Sequence, residues 1–286
     1  MFLSDCNPVK FICVKKNINF IMMKQCLVII SLLLFGTIVF SRQIIVGDDS
    51  ITWKKLIKKG YSISYTTNDE KEVKKLDIYV QSGINYIAGF FDNSFHDTFN
   101  VYVFPDRSSL DKQWQKDWND STFRSECWMI ASGVAYRLDI LSSNAWAKEA
   151  CDHNANDSTE TRKVIWHELV HVFHGQFNPD HTFNYIEKLD WLVEGVATFV
   201  SGQLDNKRLQ RVKQMIFDKK APASLDDFWK GQDRYGLSGS MIAYIDKKYG
   251  RQKLFELLKQ VNKETALRSL NISEDQLLSD WKNSFQ

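Results

Sequence analysis

Residues 61–66, YSISYT, alternate in the period-2 manner of a half-buried strand. From residue 70 to residue 91 the pattern changes to helical spacing, with apolar side chains at Val73, Leu76, Val80, Ile84 and Ile87. FNVYVFP, residues 99–105, is a β-branched and aromatic strand that Pro105 ends, and GVAYRLDIL, residues 133–141, is a second strand candidate. Helical patterning takes over after that. Residues 161–175 place Val164, Ile165, Leu169, Val172 and Phe173 on apolar positions, with Asp157 or Ser158 as start signal and Gly175 as stop. Further helices are expected over residues 187–202, 206–218, 239–248, 252–262 and 273–285. No repeat, low-complexity tract or Pro/Gly-rich linker interrupts residues 50–286, so strands first and helices after predict an α+β fold in one continuous unit.

The N-terminus follows a different logic. LVIISLLLFGTIVF, residues 27–40, is a fourteen-residue uncharged run preceded by Lys24 and followed by Ser41 and Arg42. That length suits the apolar region of a secretory signal peptide and falls short of the roughly 20 residues of a membrane span. Residues 1–41 are therefore expected to be a signal peptide, and residues 1–21 an upstream extension, since Met22 or Met23 is the more ordinary signal start. The mature chain, residues 42–286, would be secreted or periplasmic; an uncleaved membrane anchor over residues 24–41 is the alternative. Of the five cysteines only Cys127 and Cys151 lie in that mature chain, an even pair suited to one disulfide in an oxidising compartment.

Charge excludes one class of partner. The formal net charge is +2, but residues 1–41 hold four lysines and one aspartate, leaving 33 basic and 34 acidic side chains in the remainder, a net of −1. No basic field is available for nucleic acid.

Three of the chain's six histidines and one glutamate lie within HELVHVFH, residues 167–174. On a helix His167 and His171 are about 40° apart around the axis and about 6 Å along it, so both imidazoles reach one ion. Glu168 is rotated away from the ion but reaches a water bound there, which makes it the candidate general base of an H-E-x-x-H site. Zinc is the usual occupant, and a hydrolytic zinc needs a third protein ligand with one position left for water. His174 lies about 10 Å from His167 along the helix, too far to share an ion, and reads as a helix-end histidine near the negative pole of the dipole. A metzincin arrangement would need Gly at position 174 and His at position 177, where this chain has His174 and Phe177. Glu194, in DWLVEGVATF on a second expected helix, is the remaining candidate. Its neighbours Gly195 and Ala197 are small enough for two helices to approach closely.

HELVH followed by WLVEGVATF resembles the gluzincin branch of zinc metallopeptidases, in particular its peptidase MA-like domains. VYVFPDR, CWMIASGVAY and SMIAYIDKKYGRQKLFELL extend the similarity over most of residues 60–285. The resemblance implies a zincin-like α+β fold, with a small mixed sheet followed by a mainly helical C-terminal half. It also implies zinc on His167, His171 and Glu194, Glu168 as general base, and hydrolysis of a peptide or protein substrate, most simply by an endopeptidase. Gluzincins commonly supply a downstream Tyr or His to the oxyanion. Tyr235, in DRYGLSGS, is the first choice because a Gly-flanked turn before a helix could aim it inward, with an ordinary core or surface tyrosine as the plain alternative. His181 is a weaker candidate for the same role. Asp190, four residues before Glu194, could orient a ligand, or simply face solvent. The strand over residues 133–141 could offer a free edge to an extended peptide, or lie in the sheet interior. A zincin-fold binding protein without turnover is the competing function, and the retained Glu168 argues against it. N-terminal sequencing of the natively processed protein is expected to begin near Arg42; an intact N-terminus in the membrane fraction would establish the anchor instead.

Overall fold

The structure, a computed structural model, describes residues 51–286; the expected leader lies outside the described residues. Five strands form one mixed sheet: β1 (Lys54–Lys58), β2 (Tyr61–Tyr65), β3 (Phe99–Phe104), β4 (Ala131–Val134) and β5 (Arg137–Leu141), in the order β1-β2-β3-β5-β4. The β2-β3 and β3-β5 pairs are parallel, and β1 and β4 close the two edges antiparallel. Ten α-helices accompany the sheet among the described residues, eight of them after β5. The α+β expectation therefore holds, with a small mixed sheet followed by a mainly helical half.

Sequence pattern and structure agree where an element buries one face. Helix α1 (Val73–Phe91) buries Val73, Val80, Ile87 and Phe91, a stripe close to the expected one. Strands β2 and β3 fall within a residue of the alternating and β-branched runs that predicted them. Four elements escaped the pattern. β1, KKLIK, is an exposed edge strand, and α2 (Arg107–Trp118) is largely polar, anchored through buried Leu110 and Trp114. The short helices α3 (Ser143–Glu149) and α9 (Lys263–Leu270) bury only two and three side chains, too few for periodicity to register.

The strand expected over residues 133–141 is two strands, β4 and β5, joined at Ala135 and Tyr136. Neither residue is a turn former, so nothing in composition marked the reversal. β5 is buried at every position, including Arg137 and Asp139. Arg137 forms an ion pair with Asp117 and another with Asp139 at 3.0 Å, which offsets the desolvation of these charges. Burial nevertheless raises the Asp139 pKa to about 6, against the lowering influence of Arg137.

Helix α4 (Ser158–Phe177) is the centre of the fold. Asp157 caps it by accepting from the amides of Thr159 and Glu160, as the start signal implied. Gly175 does not stop it; the helix runs on to Phe177. Gly175 serves closeness instead, because a Cβ there would sit 2.7 Å from the backbone nitrogen of Ala135 in the β4-β5 turn. The Gln176 side chain secures the same junction, accepting from the His96 and Asp97 amides and donating to the carbonyls of Asp97 and Ala135. Helix α5 (Asp190–Val200) follows, and Gly195 lets α7 (Arg234–Tyr249) approach it, with Ser238 O only 2.7 Å from where a Cβ would stand. α6 (Asn206–Phe217), α8 (Arg251–Leu257) and α10 (Glu274–Asn283) complete the helical half. Cys127 and Cys151 form the expected disulfide, with Cα atoms 5.3 Å apart.

The tightest fit lies between β4 and α4. A Cβ on Gly133 would collide with the Glu168 carbonyl oxygen and lie 3.1 Å from His171 Cβ. Gly133→Ala is therefore expected to destabilise by about 1 to 3 kcal/mol through overpacking, whereas Gly89→Ala, on an exposed and unobstructed stretch of α1, should stabilise by roughly 0.5 to 1 kcal/mol. Urea unfolding of the two variants checks both signs, and a neutral Gly133→Ala would show that the sheet edge and α4 do not touch.

Candidate metal centre

Helix α4 is buried on almost every side, Leu169, Val170, Val172 and Phe173 being fully enclosed. Within that apolar setting His167 and His171 are 6% exposed and Glu168 9%, so three polar side chains are withdrawn from water on one turn and a half. Burial of that kind is costly unless each group finds a partner. Glu194 on α5 supplies it. His167 Nε2 and His171 Nε2 are 3.1 Å apart, and Glu194 Oε2 lies 3.3 Å from the first and 3.6 Å from the second.

These spacings test whether an ion fits. A tetrahedral ion with ligand bonds of 2.0 to 2.1 Å holds its donor atoms about 3.3 to 3.4 Å apart. The three separations bracket that value, so His167, His171 and Glu194 form a group that could hold a metal. The Glu194 side chain keeps 25% of its surface exposed, leaving the group open to solvent on that side. His167 Nδ1 and His171 Nδ1 have no hydrogen-bond partner among the described residues.

The electrostatics separate the two glutamates. Burial alone would raise the Glu194 pKa, but His171 and His167 together outweigh it and hold the carboxylate well below its ordinary range. Glu168 goes the other way. Burial is the main cause, with the Glu194 charge adding to it, and the pKa rises to about 7 although His167 and the Gly133 amide pull it down. One carboxylate is thus fixed as an anion, and its neighbour is poised to exchange a proton near neutrality.

The other sequence candidates fall into distinct places. Tyr235 lies beside the group, its ring centroid 6.1 Å from that of His167. It does not sit in a turn ahead of a helix as expected but in the first turn of α7, which begins at Arg234. Burial and the Glu194 charge raise its pKa, so the hydroxyl keeps its proton. His181 is engaged elsewhere: its Nδ1 is 2.7 Å from the Gly175 carbonyl oxygen, latching the chain after α4 back onto that helix. Asp190 opens α5, and no hydrogen bond links it to either histidine, so it does not orient a ligand. His174 is not a dipole-stabilised cation at a helix end. It is fully buried beside Phe183, and burial lowers its pKa to about 3, with His171 contributing, so the ring is neutral. The small residue Gly195, expected to ease the approach of the two ligand helices, faces α7 instead and thereby brings Tyr235 to the site.

Two residues of the site carry no sequence signal. Gly133 gives the Glu168 turn its contact with the sheet edge, and Arg234 packs against Tyr235, its guanidinium 5.4 Å from the ring centroid. A groove lined by Val73, Leu76, Tyr79, Val103 and Ile165 contains none of the three ligands and is separate from the centre. No protein-family model matches the chain, and no curated protein matches it in sequence.

If this group holds an ion, it would hold one per chain. Glu194→Ala should weaken zinc binding by at least 10- to 100-fold, the loss expected even for a supporting partner, while Glu168→Gln and His174→Ala retain the ion at full stoichiometry. Metal analysis after dialysis against a weak chelator decides the matter; zinc lost from the His174 variant and kept by the Glu194 variant would overturn the ligand assignment.

Proposed function

We propose that this chain is an exported zinc-dependent peptidase of the gluzincin kind, with a zincin-like fold. The observation that carries the reading is the convergence of His167, His171 and Glu194 at tetrahedral spacing, with Glu168 buried next to them and outside the ligand set. Zinc in that position would lower the pKa of a coordinated water to about 7 and polarise the scissile carbonyl.

Each side chain then has a part. Glu168 accepts the proton of the attacking water and passes it to the leaving amide nitrogen, for which a pKa near 7 suits both directions of transfer. Tyr235, protonated at every physiological pH, donates a hydrogen bond to the developing oxyanion from the far side of His167. β4 is the last strand of the sheet, pairing only with β5, and Gly133 at its middle presses on the Glu168 turn. An extended substrate added along that free edge would be held by main-chain hydrogen bonds and carried past the reacting groups without its sequence being read. Such binding suits an endopeptidase.

The two proton-handling residues should separate in kinetics. With zinc loaded and confirmed at full occupancy, Glu168→Gln should nearly abolish cleavage of a mixed peptide library. Tyr235→Phe should lower kcat by about 10² to 10³ with zinc retained. Full activity in Glu168→Gln would reject hydrolysis by this centre, and an unchanged kcat in Tyr235→Phe would remove the tyrosine from it.

A further inference from the structure

Arg234 is the first residue of α7 and the immediate neighbour of Tyr235. Its guanidinium lies over three rings, 4.7 Å from the centroid of Trp128, 5.2 Å from Trp229 and 5.4 Å from Tyr235. Three other arginines are saturated by polar partners. Arg107 donates to the carbonyls of Glu126, Met129, Cys127 and Glu149, Arg137 pairs with Asp117 and Asp139, and Arg251 pairs with Asp246. Arg234 makes no ion pair with any described carboxylate, and its Nε is buried without a hydrogen-bond partner. The acid next to it, Asp233, is committed to Arg211.

The aromatic rings attract the cation, but the helix end on which it stands does not. The N-terminal turn of a helix carries the positive end of its dipole, which disfavours an arginine there and favours an anion. Stacking on aromatic faces holds a guanidinium by its plane and leaves its edge donors for polar partners; the Tyr235 hydroxyl takes one, and the others remain to receive a carboxylate. The backbone that carries one of the indoles is held firmly: Trp128 follows Cys127 of the disulfide, its carbonyl lies 3.0 Å from His153 Nε2, and Arg107 binds the carbonyls on both sides of it. This aromatic group adjoins the centre through Tyr235, whose ring centroid is 6.1 Å from that of His167, so a ligand of Arg234 would lie near the reacting bond.

We infer that Arg234, clamped between Trp128 and Trp229 beside Tyr235, determines specificity by binding a carboxylate of the peptide substrate close to the scissile bond. The inference rests on the peptidase reading. An acidic side chain and a free C-terminus offer the same chemistry to the guanidinium, and the test separates them.

Three peptides sharing one scissile bond serve as probes: one with a free C-terminal carboxylate and neutral side chains, one amidated with a glutamate flanking the bond, and one amidated with glutamine in its place. Binding is measured by tryptophan fluorescence on the zinc-loaded Glu168→Gln chain, and cleavage on the zinc-loaded chain with Glu168 intact. One carboxylate peptide should bind at least about 10-fold more tightly than the neutral one, the minimum expected of a charge-assisted bidentate hydrogen bond. The same ratio should appear in kcat/KM through KM. Arg234→Gln should bring both ratios to within about twofold of one, and Arg234→Lys, which keeps charge but not the planar fork, should fall between. Zinc stoichiometry and circular dichroism confirm that each variant is folded. Cleavage of all three peptides with equal efficiency would overturn the role of Arg234 and leave the peptidase intact. Arg234-dependent binding of a carboxylate peptide without cleavage would overturn the peptidase and keep the carboxylate site. Neither binding preference nor cleavage would end both.

Discussion

Burying His167, Glu168, His171 and Glu194 together sets the terms for everything around them. Polar and ionisable groups withdrawn from water cost free energy unless they are paired, and here they are spread over two helices with the pairing made across the gap. That gap must be held to a few tenths of an ångström. The chain after α4 is accordingly fastened at several points. Asn178 donates to the carbonyls of Leu258 and Gln260, the Glu187 amide bonds Val261, and the Lys263 amide bonds Glu187, so the connection between the ligand helices is tied to α8 and α9. The helical half acts as a brace for two side-chain pairs.

The same demand explains the close approaches. A buried ligand helix needs dense walls, since any void beside it would admit rearrangement of the ligands. Gly133 brings backbone of the sheet edge onto the Glu168 turn, and Gly195 brings α7 onto α5. Each position has a cost elsewhere, because a glycine in a strand or helix interior weakens it. The sheet edge that results is a wall of the site, and the arrival of α7 delivers Tyr235 and Arg234 together.

Charge is distributed with similar economy. The Glu194 carboxylate is held ionised by the two histidines, and Glu168, one residue from His167, is held near neutrality by burial. His174 shares the helix but is kept neutral among apolar groups and belongs to the packing. Beside the centre Arg234 packs against three aromatic rings and makes no ion pair with a carboxylate among the described residues.

The amino-acid sequence alone determined what depends on short-range periodicity. HELVH places two imidazoles on one helical face because 3.6 residues complete a turn, and the α+β order, the boundaries of β2, β3 and α1, and the start of α4 follow from runs that bury one face. Glu194 was legible as a candidate because it lies on an apolar helix with the small residues Gly195 and Ala197 just after it. The tertiary structure decided what depends on distance through space. The reversal at Ala135 and Tyr136 has no turn residue to announce it, and a run of nine mostly apolar positions reads as one strand until its two halves find different neighbours. Gly195 could be read as a place of close approach, but only packing determined that α7, and not α4, comes near. His181 and Tyr235 were equal in kind as downstream polar aromatics; the first is spent on the Gly175 carbonyl and the second is carried to His167 by a helix that starts five residues earlier than its apolar pattern. Arg234 was silent in sequence, because an arginine is defined by its partners, and those stand more than a hundred residues away at Trp128 and nearby at Trp229.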